Sequence, residues 1–218
     1  MLLMRPPGVY PPQNDTWLLG KALATAGIRP GAAVLDIGCG TGALSVLAAR
    51  TAPRSVTSVD VSRRAVAATR LNTLVRGVRG EVLRGDAFEL LAGRTFDLVL
   101  ANPPYVPGKA DRPRGRHRAW DAGIDGRELL DRLCANAPLL LAPGGTLLVV
   151  HSGLCDEEKT VRQLRGGGLK AAVVARAEEP FGPVMRARRQ RLVGLGLIGP
   201  DEETEELVVI RGDRQANS

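Results

Sequence analysis

The sequence predicts an α/β protein of one domain: a mostly parallel sheet of seven strands with helices on both faces, the last strand running antiparallel. Three observations lead there. Short apolar runs of strand length alternate with longer segments of helical period, the pattern of parallel strands joined by crossover helices. A glycine turn, "GCGTG" at 38–42, separates the first strand from the helix that follows it. The final apolar run follows an irregular arginine-rich segment instead of a simple crossover, which frees it to enter in the opposite direction.

Taken in order, "NDTWLLGKALATAG" (14–27) reads as a helix that Asn14 or Asp15 caps, with Trp17, Leu18, Leu23 and Ala24 at helical spacing and Gly27 as its stop. "AVLDI" (33–37) is a short buried strand, and "ALSVLAAR" (43–50) the helix after the glycine turn. "SVTSVD" (55–60), a helix from Ser62 to Gly77, "GEVLRGD" (80–86) and the strand "RTFDLVLANPP" (94–104) follow. The helix "GRELLDRLCANAPLLL" (126–141), the strand "GGTLLVVHSG" (144–153), a helix over 157–168 and strands over 169–179 and 205–212 complete the set. Residues 1–30 form a segment and helix lying over the site, 31–212 the domain proper and 213–218 a frayed tail.

Composition excludes several classes. Hydrophobic residues are 44% and charged residues 24%, the balance of a globular protein and not of a disordered one. No apolar run reaches bilayer length, and the proline-broken start "MLLMRPPGVYPP" does not resemble a secretory leader, so the expected location is the cytoplasm with no membrane partner. The three cysteines, Cys39, Cys134 and Cys155, lack the spacing of a metal site, and no metal is expected. A net charge of +7 is concentrated in "GKADRPRGRHR" (108–118) and "RARRQR" (186–191), patches that suit a nucleic acid or an acidic protein and equally a solvated face.

Gly38, Cys39, Gly40 and Gly42 lie at the carboxyl edge of the predicted sheet, where open α/β folds bind ligands. Three carboxylates end successive strands near that loop. Asp60, with Val61 after it, suits a ribose diol; Asp86, with the Ala87 backbone and the nearby Phe88, suits an adenine amine; Asp36 suits a cationic amino-acid end or the ordering of the loop. Downstream, "LVLANPPYVPG" places Asn102 at a strand end, stiffened by Pro103 and Pro104 and followed by Tyr105. An amide nitrogen, like an aromatic exocyclic amine, is a poor nucleophile because its lone pair is delocalised. A site that makes one react must hold both N–H bonds with acceptors so that the lone pair faces the electrophile. The Asn102 side-chain oxygen and the Pro103 carbonyl are two such acceptors, and Tyr105 offers a ring to stack on a planar acceptor.

These motifs together resemble class I S-adenosylmethionine-dependent methyltransferases with a Rossmann-like fold: "VLDIGCGTG" is similar to their first motif, "VTSVDVS" to the ribose-binding strand and "RGDAF" to the adenine-binding segment. "GVYPPQNDTWLL" and "RAWDAGIDGRELLDRL", flanking the core, resemble the HemK-type protein-(glutamine-N5) methyltransferases, in particular the short branch acting on the GGQ glutamine of release factors. The resemblance runs from about Val9 to Val150. It implies S-adenosylmethionine as cofactor, a release factor as plausible protein substrate, Thr16 as a cofactor contact, and Tyr10 and Trp120 in the acceptor pocket together with the "DGRELLDR" helix. The branch commonly uses a small zinc-binding activating partner over its third strand, for which "GEVLRGD", short and charged, gives no support. The chain departs from the branch in the long connection 179–206. An adenine-N6 methyltransferase, a small-molecule methyltransferase and a silent cofactor-binding scaffold are the competing readings.

Overall fold

In a computed structural model, residues 1–107, 122, 123 and 125–216 are described. Trp120 and the basic segment 108–118 lie outside them. The chain folds as α1 (Asn14–Thr25), β1 (Ala33–Ile37), α2 (Ala43–Ala48), β2 (Ser55–Asp60), α3 (Arg63–Leu74), β3 (Gly80–Arg84), α4 (Ala87–Leu90) and β4 (Phe96–Ala101), then α5 (Glu128–Leu140), β5 (Leu141–Ser152), α6 (Glu157–Gly166), β6 (Lys170–Pro180), α7 (Pro183–Gly194) and β7 (Thr204–Asp213). The seven strands form one sheet in the order β3-β2-β1-β4-β5-β7-β6. Strands β1 to β5 pair in parallel, and β7 runs antiparallel to both β5 and β6 as the sequence suggests.

Every residue of β1 is buried. Side chains alternate across a strand, so burial at all five positions means that both faces of the sheet are covered. Leu98, Val99 and Leu100 of β4 and Leu147, Val149 and Val150 of β5 extend this core. Edge strand β6 instead alternates between exposed and partly covered residues over most of its length. The strand order reverses between β1 and β4, which lie side by side with Ile37 opposite Ala101. The glycine turn and Asn102 therefore leave the sheet next to each other at the topological switch point, where open α/β sheets leave a crevice.

The structure corrects the sequence reading in four places. The connection 179–206, read as irregular, contains α7, whose buried residues are Met185 and Leu192, seven apart. Two inward side chains among four arginines are too few to give a helical period. Arginines of the 186–191 run are partly structural: Arg188 donates to Pro107 O at 2.9 Å, and Arg189 bonds the Pro200 and Glu202 carbonyls. Helix α1 is capped by neither Asn14 nor Asp15, since Gln13 holds the cap position without a side-chain bond. Finally, the expected frayed tail starts later than residue 213. Asp213 ends β7, and Arg214 pairs with the backbone of Gly145 and reaches Pro138 O, because its donors close carbonyls left open at the end of α5.

Candidate active site

A cavity of about 540 Å³ opens over the carboxyl ends of β1, β2 and β4. The N-terminal segment forms one wall through Gly8, Val9, Tyr10 and Pro12, with Thr16 of α1 beside it. That segment is moored to α3, where Asn72 exchanges hydrogen bonds with the Met4 backbone and Arg64 donates to Pro7 O. Across the floor, Gly38 has φ +71°, and a Cβ built there would meet no atom within 4 Å. The missing side chain thus leaves backbone open to the cavity. Cys39 and Gly40 also line it, whereas Gly42 does not and is packed against Thr69. Burial holds the Cys39 thiol well above its ordinary pKa, so it serves as a neutral packing group.

The three strand-end acids have different surroundings. Asp60 lines the cavity; its Oδ1 accepts from Ser62 N at 2.8 Å and its Oδ2 from Gly40 N at 3.0 Å, so it latches the glycine turn and still has lone pairs for a diol. Burial raises its pKa, partly offset by those two backbone donors. We expect Asp60→Ala to weaken cofactor binding by about 1.5–3 kcal/mol, the worth of hydrogen bonds to a charged group. Calorimetric titration checks this, and unchanged affinity would remove Asp60 from the ribose site. Asp86 caps α4 through Phe88 N at 3.0 Å and pairs with Arg132 of α5 at 2.8 Å, while that guanidinium lies 4.8 Å from the Phe88 ring centroid. Ala87, Phe88, Val61 and Leu129 give this end an apolar wall beside a carboxylate, as an adenine requires.

Asp36 is fully buried and is not part of the cavity wall. Its Oδ2 accepts from both the backbone and the hydroxyl of Ser45, while Oδ1 has no partner among the described residues. Burial pushes its pKa up to about 6, against the Ser45 hydrogen bonds. Its side-chain hydrogen bonds thus go to Ser45 of α2 and, among the described residues, none goes to the glycine turn that it was expected to order.

Asn102 lines the cavity and donates from Nδ2 to Thr16 Oγ1 at 3.2 Å. Its donor side is thus engaged, and among the described residues no donor reaches Oδ1, which is the acceptor an incoming N–H needs. Pro103 is buried and Pro104 contributes to the wall. Tyr105 departs from expectation. Its ring is buried outside the large cavity, its hydroxyl donates to Asp15 Oδ2 at 3.3 Å, and it faces a smaller cavity shared with Tyr10. Burial, reinforced by Asp15 and Glu205, raises the phenol well above its usual pKa and keeps it a donor. Tyr105 here anchors the turn and does not present a stacking face. The turn is also held from behind, where Cys155 Sγ bonds Tyr105 O at 3.0 Å and Gly126, at φ +77°, packs so close that a Cβ would lie 2.4 Å from that oxygen.

Sequence reasoning missed Asp15, Arg132, Leu129 and Glu205. Leu129 and Arg132 were discoverable, since their spacing of three places them on one face of the "DGRELLDR" helix. They border the Asp86 end of the cavity. Glu205 gave no signal, being one acid in the run "DEETEE".

The chain is similar in sequence and in fold to several known proteins. The family model described as "Methyltransferase small domain" matches residues 5–177. A protein named as an N5-glutamine methyltransferase from Methanocaldococcus jannaschii is 35% identical over 188 residues, covering 85% of this chain and 93% of that protein. The release factor glutamine methyltransferase of Geobacter sulfurreducens is 37% identical over 152 residues; the match takes in 66% of this chain and only 53% of the bacterial enzyme. Among solved structures, the E. cuniculi Mtq2–Trm112 complex has a chain that superposes with a TM-score of 0.68 at 23% identity, covering 95% of this chain and 99% of that one, a likeness of fold. The chain belongs to the methyltransferase small domain family and, within it, to the HemK-type protein N5-glutamine methyltransferases.

Proposed function

We infer that the protein transfers a methyl group from S-adenosylmethionine to the side-chain amide nitrogen of a protein glutamine, with the GGQ-type glutamine of a translation release factor as the acceptor. The observation that carries this is Asn102, whose amide nitrogen is engaged by Thr16 and whose oxygen is left for a ligand at the sheet's switch point. The cavity walls fit the cofactor: Asp60 for the ribose hydroxyls, Asp86, Ala87 and Phe88 for the adenine, and the open backbone from Gly38 to Gly40 for the amino-acid end, with Thr16 beside them. When bound, the cofactor supplies an electrophilic methyl group on a sulfonium.

The protein's own contribution is orientation. Asn102 Oδ1 and the Pro103 carbonyl accept the two N–H bonds of the glutamine amide, turning its lone pair out of conjugation and toward the methyl group. Pro103 and Pro104 fix the turn, so little ordering is left for binding to accomplish. The names of the relatives support a protein acceptor, and nothing in them supports a nucleic acid. A small covering partner also gains support: Mtq2 was solved with Trm112, β3 is the open end of the sheet here, and α3 beside it exposes Leu71, Leu74 and Val75.

The test is to incubate the purified protein with methyl-labelled cofactor and a release factor bearing the GGQ motif, then to look for N5-methylglutamine by mass spectrometry. Label recovered in that residue is expected. Label found only in nuclease-sensitive material or small molecules would overturn the reading.

A further inference from the structure

Behind Tyr105 lies a second cavity of about 50 Å³, walled by Tyr10, Asp15, Tyr105, Glu179 and Glu205. Among the described residues, no lysine, arginine or histidine lines it. Glu205 begins the buried part of β7 and is 8% exposed; the Ser152 hydroxyl of β5 hydrogen-bonds its carboxyl, and its Oε2 has no partner among the described residues. A buried carboxylate without a cation is costly, and a purely structural position would be better filled by an amide or an apolar group.

The two cavities are connected by hydrogen bonds. Asn102 Nδ2 donates to Thr16 Oγ1 at 3.2 Å, and Thr16 Oγ1 donates to Asp15 Oδ1 at 3.1 Å. Asp15, itself buried, has its other oxygen on the Tyr105 hydroxyl and forms a wall of the second cavity. The path therefore starts at the group that holds the acceptor amide and reaches Asp15 on the wall of the second cavity, where Glu205 Oε2 has no partner among the described residues.

We propose that this path carries away the proton released by methyl transfer, and that Glu205 is the positioning residue that holds it. The proposal rests on the glutamine reading above. As the N–C bond forms and the S–C pair returns to sulfur, the amide nitrogen must lose one proton. That proton passes to Asn102 Oδ1, one leaves Asn102 Nδ2 for Thr16 Oγ1, and the Thr16 hydroxyl proton moves to Asp15 Oδ1. The second cavity is large enough for a water, which completes the transfer from Asp15 to Glu205. After the methylated product leaves, Asn102 Oδ1 gives its proton to the solvent that refills the site, and the proton held on Glu205 returns along the path to Nδ2, so that one proton in all is released and the amide of Asn102 is restored.

Among the described residues, the groups facing Glu205 are Tyr10 from the N-terminal segment, Asp15 of α1, Tyr105 after β4, Ser152 of β5, the buried Cys155 thiol after β5 and Glu179 of β6, and none is cationic. Burial, with a contribution from Asp15, pushes the Glu205 carboxyl up to about 7 despite the Ser152 hydrogen bond. Above that pH it is ionised and able to take a proton; below, the path is closed.

The test uses the full chain with a glutamine-containing GGQ peptide. For the wild type, kcat is expected to rise through an apparent pKa of about 7. Glu205→Gln keeps the shape, should lose that limb and lower kcat about tenfold at pH 8, with KM for peptide and cofactor unchanged. Thr16→Val, which cuts the path at another point, should also lose the limb. Without substrate, infrared difference spectra of wild type minus Glu205→Gln should show a protonated carboxyl that titrates near neutral pH. A Glu205→Gln variant with the wild-type pH profile and kcat, or no such titrating band, overturns the proton path while leaving the glutamine reading intact. A wild-type enzyme inactive on the peptide overturns the glutamine reading and this proposal with it.

Discussion

Replacing Asn102 by alanine is expected to lower methyl transfer about 10³-fold while cofactor affinity stays within severalfold. The two expectations have separate causes. In the proposed function the side-chain oxygen of Asn102 is the acceptor that turns the substrate amide, and losing one such preorganised partner typically costs 10²–10³ in rate. Removing it here should reach the upper end, because the amide is unreactive until its lone pair is freed from resonance. The cofactor residues proposed above, by contrast, stand at the ends of β1, β2 and β3, and Asn102 only borders that cavity. Single-turnover kinetics with labelled cofactor, alongside a binding titration, separate the two effects. Full turnover in Asn102→Ala would remove the residue from its assigned role, and a collapse of cofactor affinity would make it a cofactor residue instead.

Arg127→Met is expected to reduce unfolding free energy by about 3–5 kcal/mol, the usual result of leaving a buried polar network without its charged partner. Its guanidinium is 4% exposed. It pairs with Asp131 at 2.8 Å and donates to Asp156 O and Thr160 Oγ1 at 3.0 Å, to Gln163 Oε1 at 2.9 Å, and to Cys155 O. One side chain thus ties the start of α5 to the turn at 153–155 and to α6. The same turn carries Cys155, whose thiol supports the backbone of Tyr105. For a chain of this size such a loss lowers the melting temperature by roughly 10 °C. Arg127→Lys should recover only part of it, since an ammonium cannot satisfy a fork of acceptors spread over two helices and a turn. A melting temperature within about 2 °C of wild type would show that these bonds contribute no net stability. The resemblance implied that the "DGRELLDR" helix shapes the acceptor pocket; Arg127 itself holds the turn behind Tyr105.

How much of this was legible in the sequence depends on the range of each interaction. Gly38, Asp60, Asp86 and Asn102 could be placed because each stands at a strand end, and a parallel sheet brings its carboxyl ends to one edge whatever the details of packing. Strand periodicity and a glycine turn are local properties, so the seven strands and the cofactor crevice were determined by sequence alone. The pairings that complete the site are not local. Asn102 meets Thr16 and Tyr105 meets Asp15 across 86 and 90 residues. Both depend on α1 folding back over the switch point, which no spacing in the sequence encodes. The same contact explains why Tyr105 points away from the expected stacking position: its ring finds a buried slot and an acid only after α1 has docked. Glu205 is the extreme case. In the sequence it cannot be told from its acidic neighbours, yet pleating turns it inward while Glu206 stays exposed. Sequence thus determined the fold and which residues stand at the carboxyl edge of the sheet, where geometry follows from backbone pattern. Tertiary packing decided which acids were buried, and burial is what sets their protonation and therefore their use.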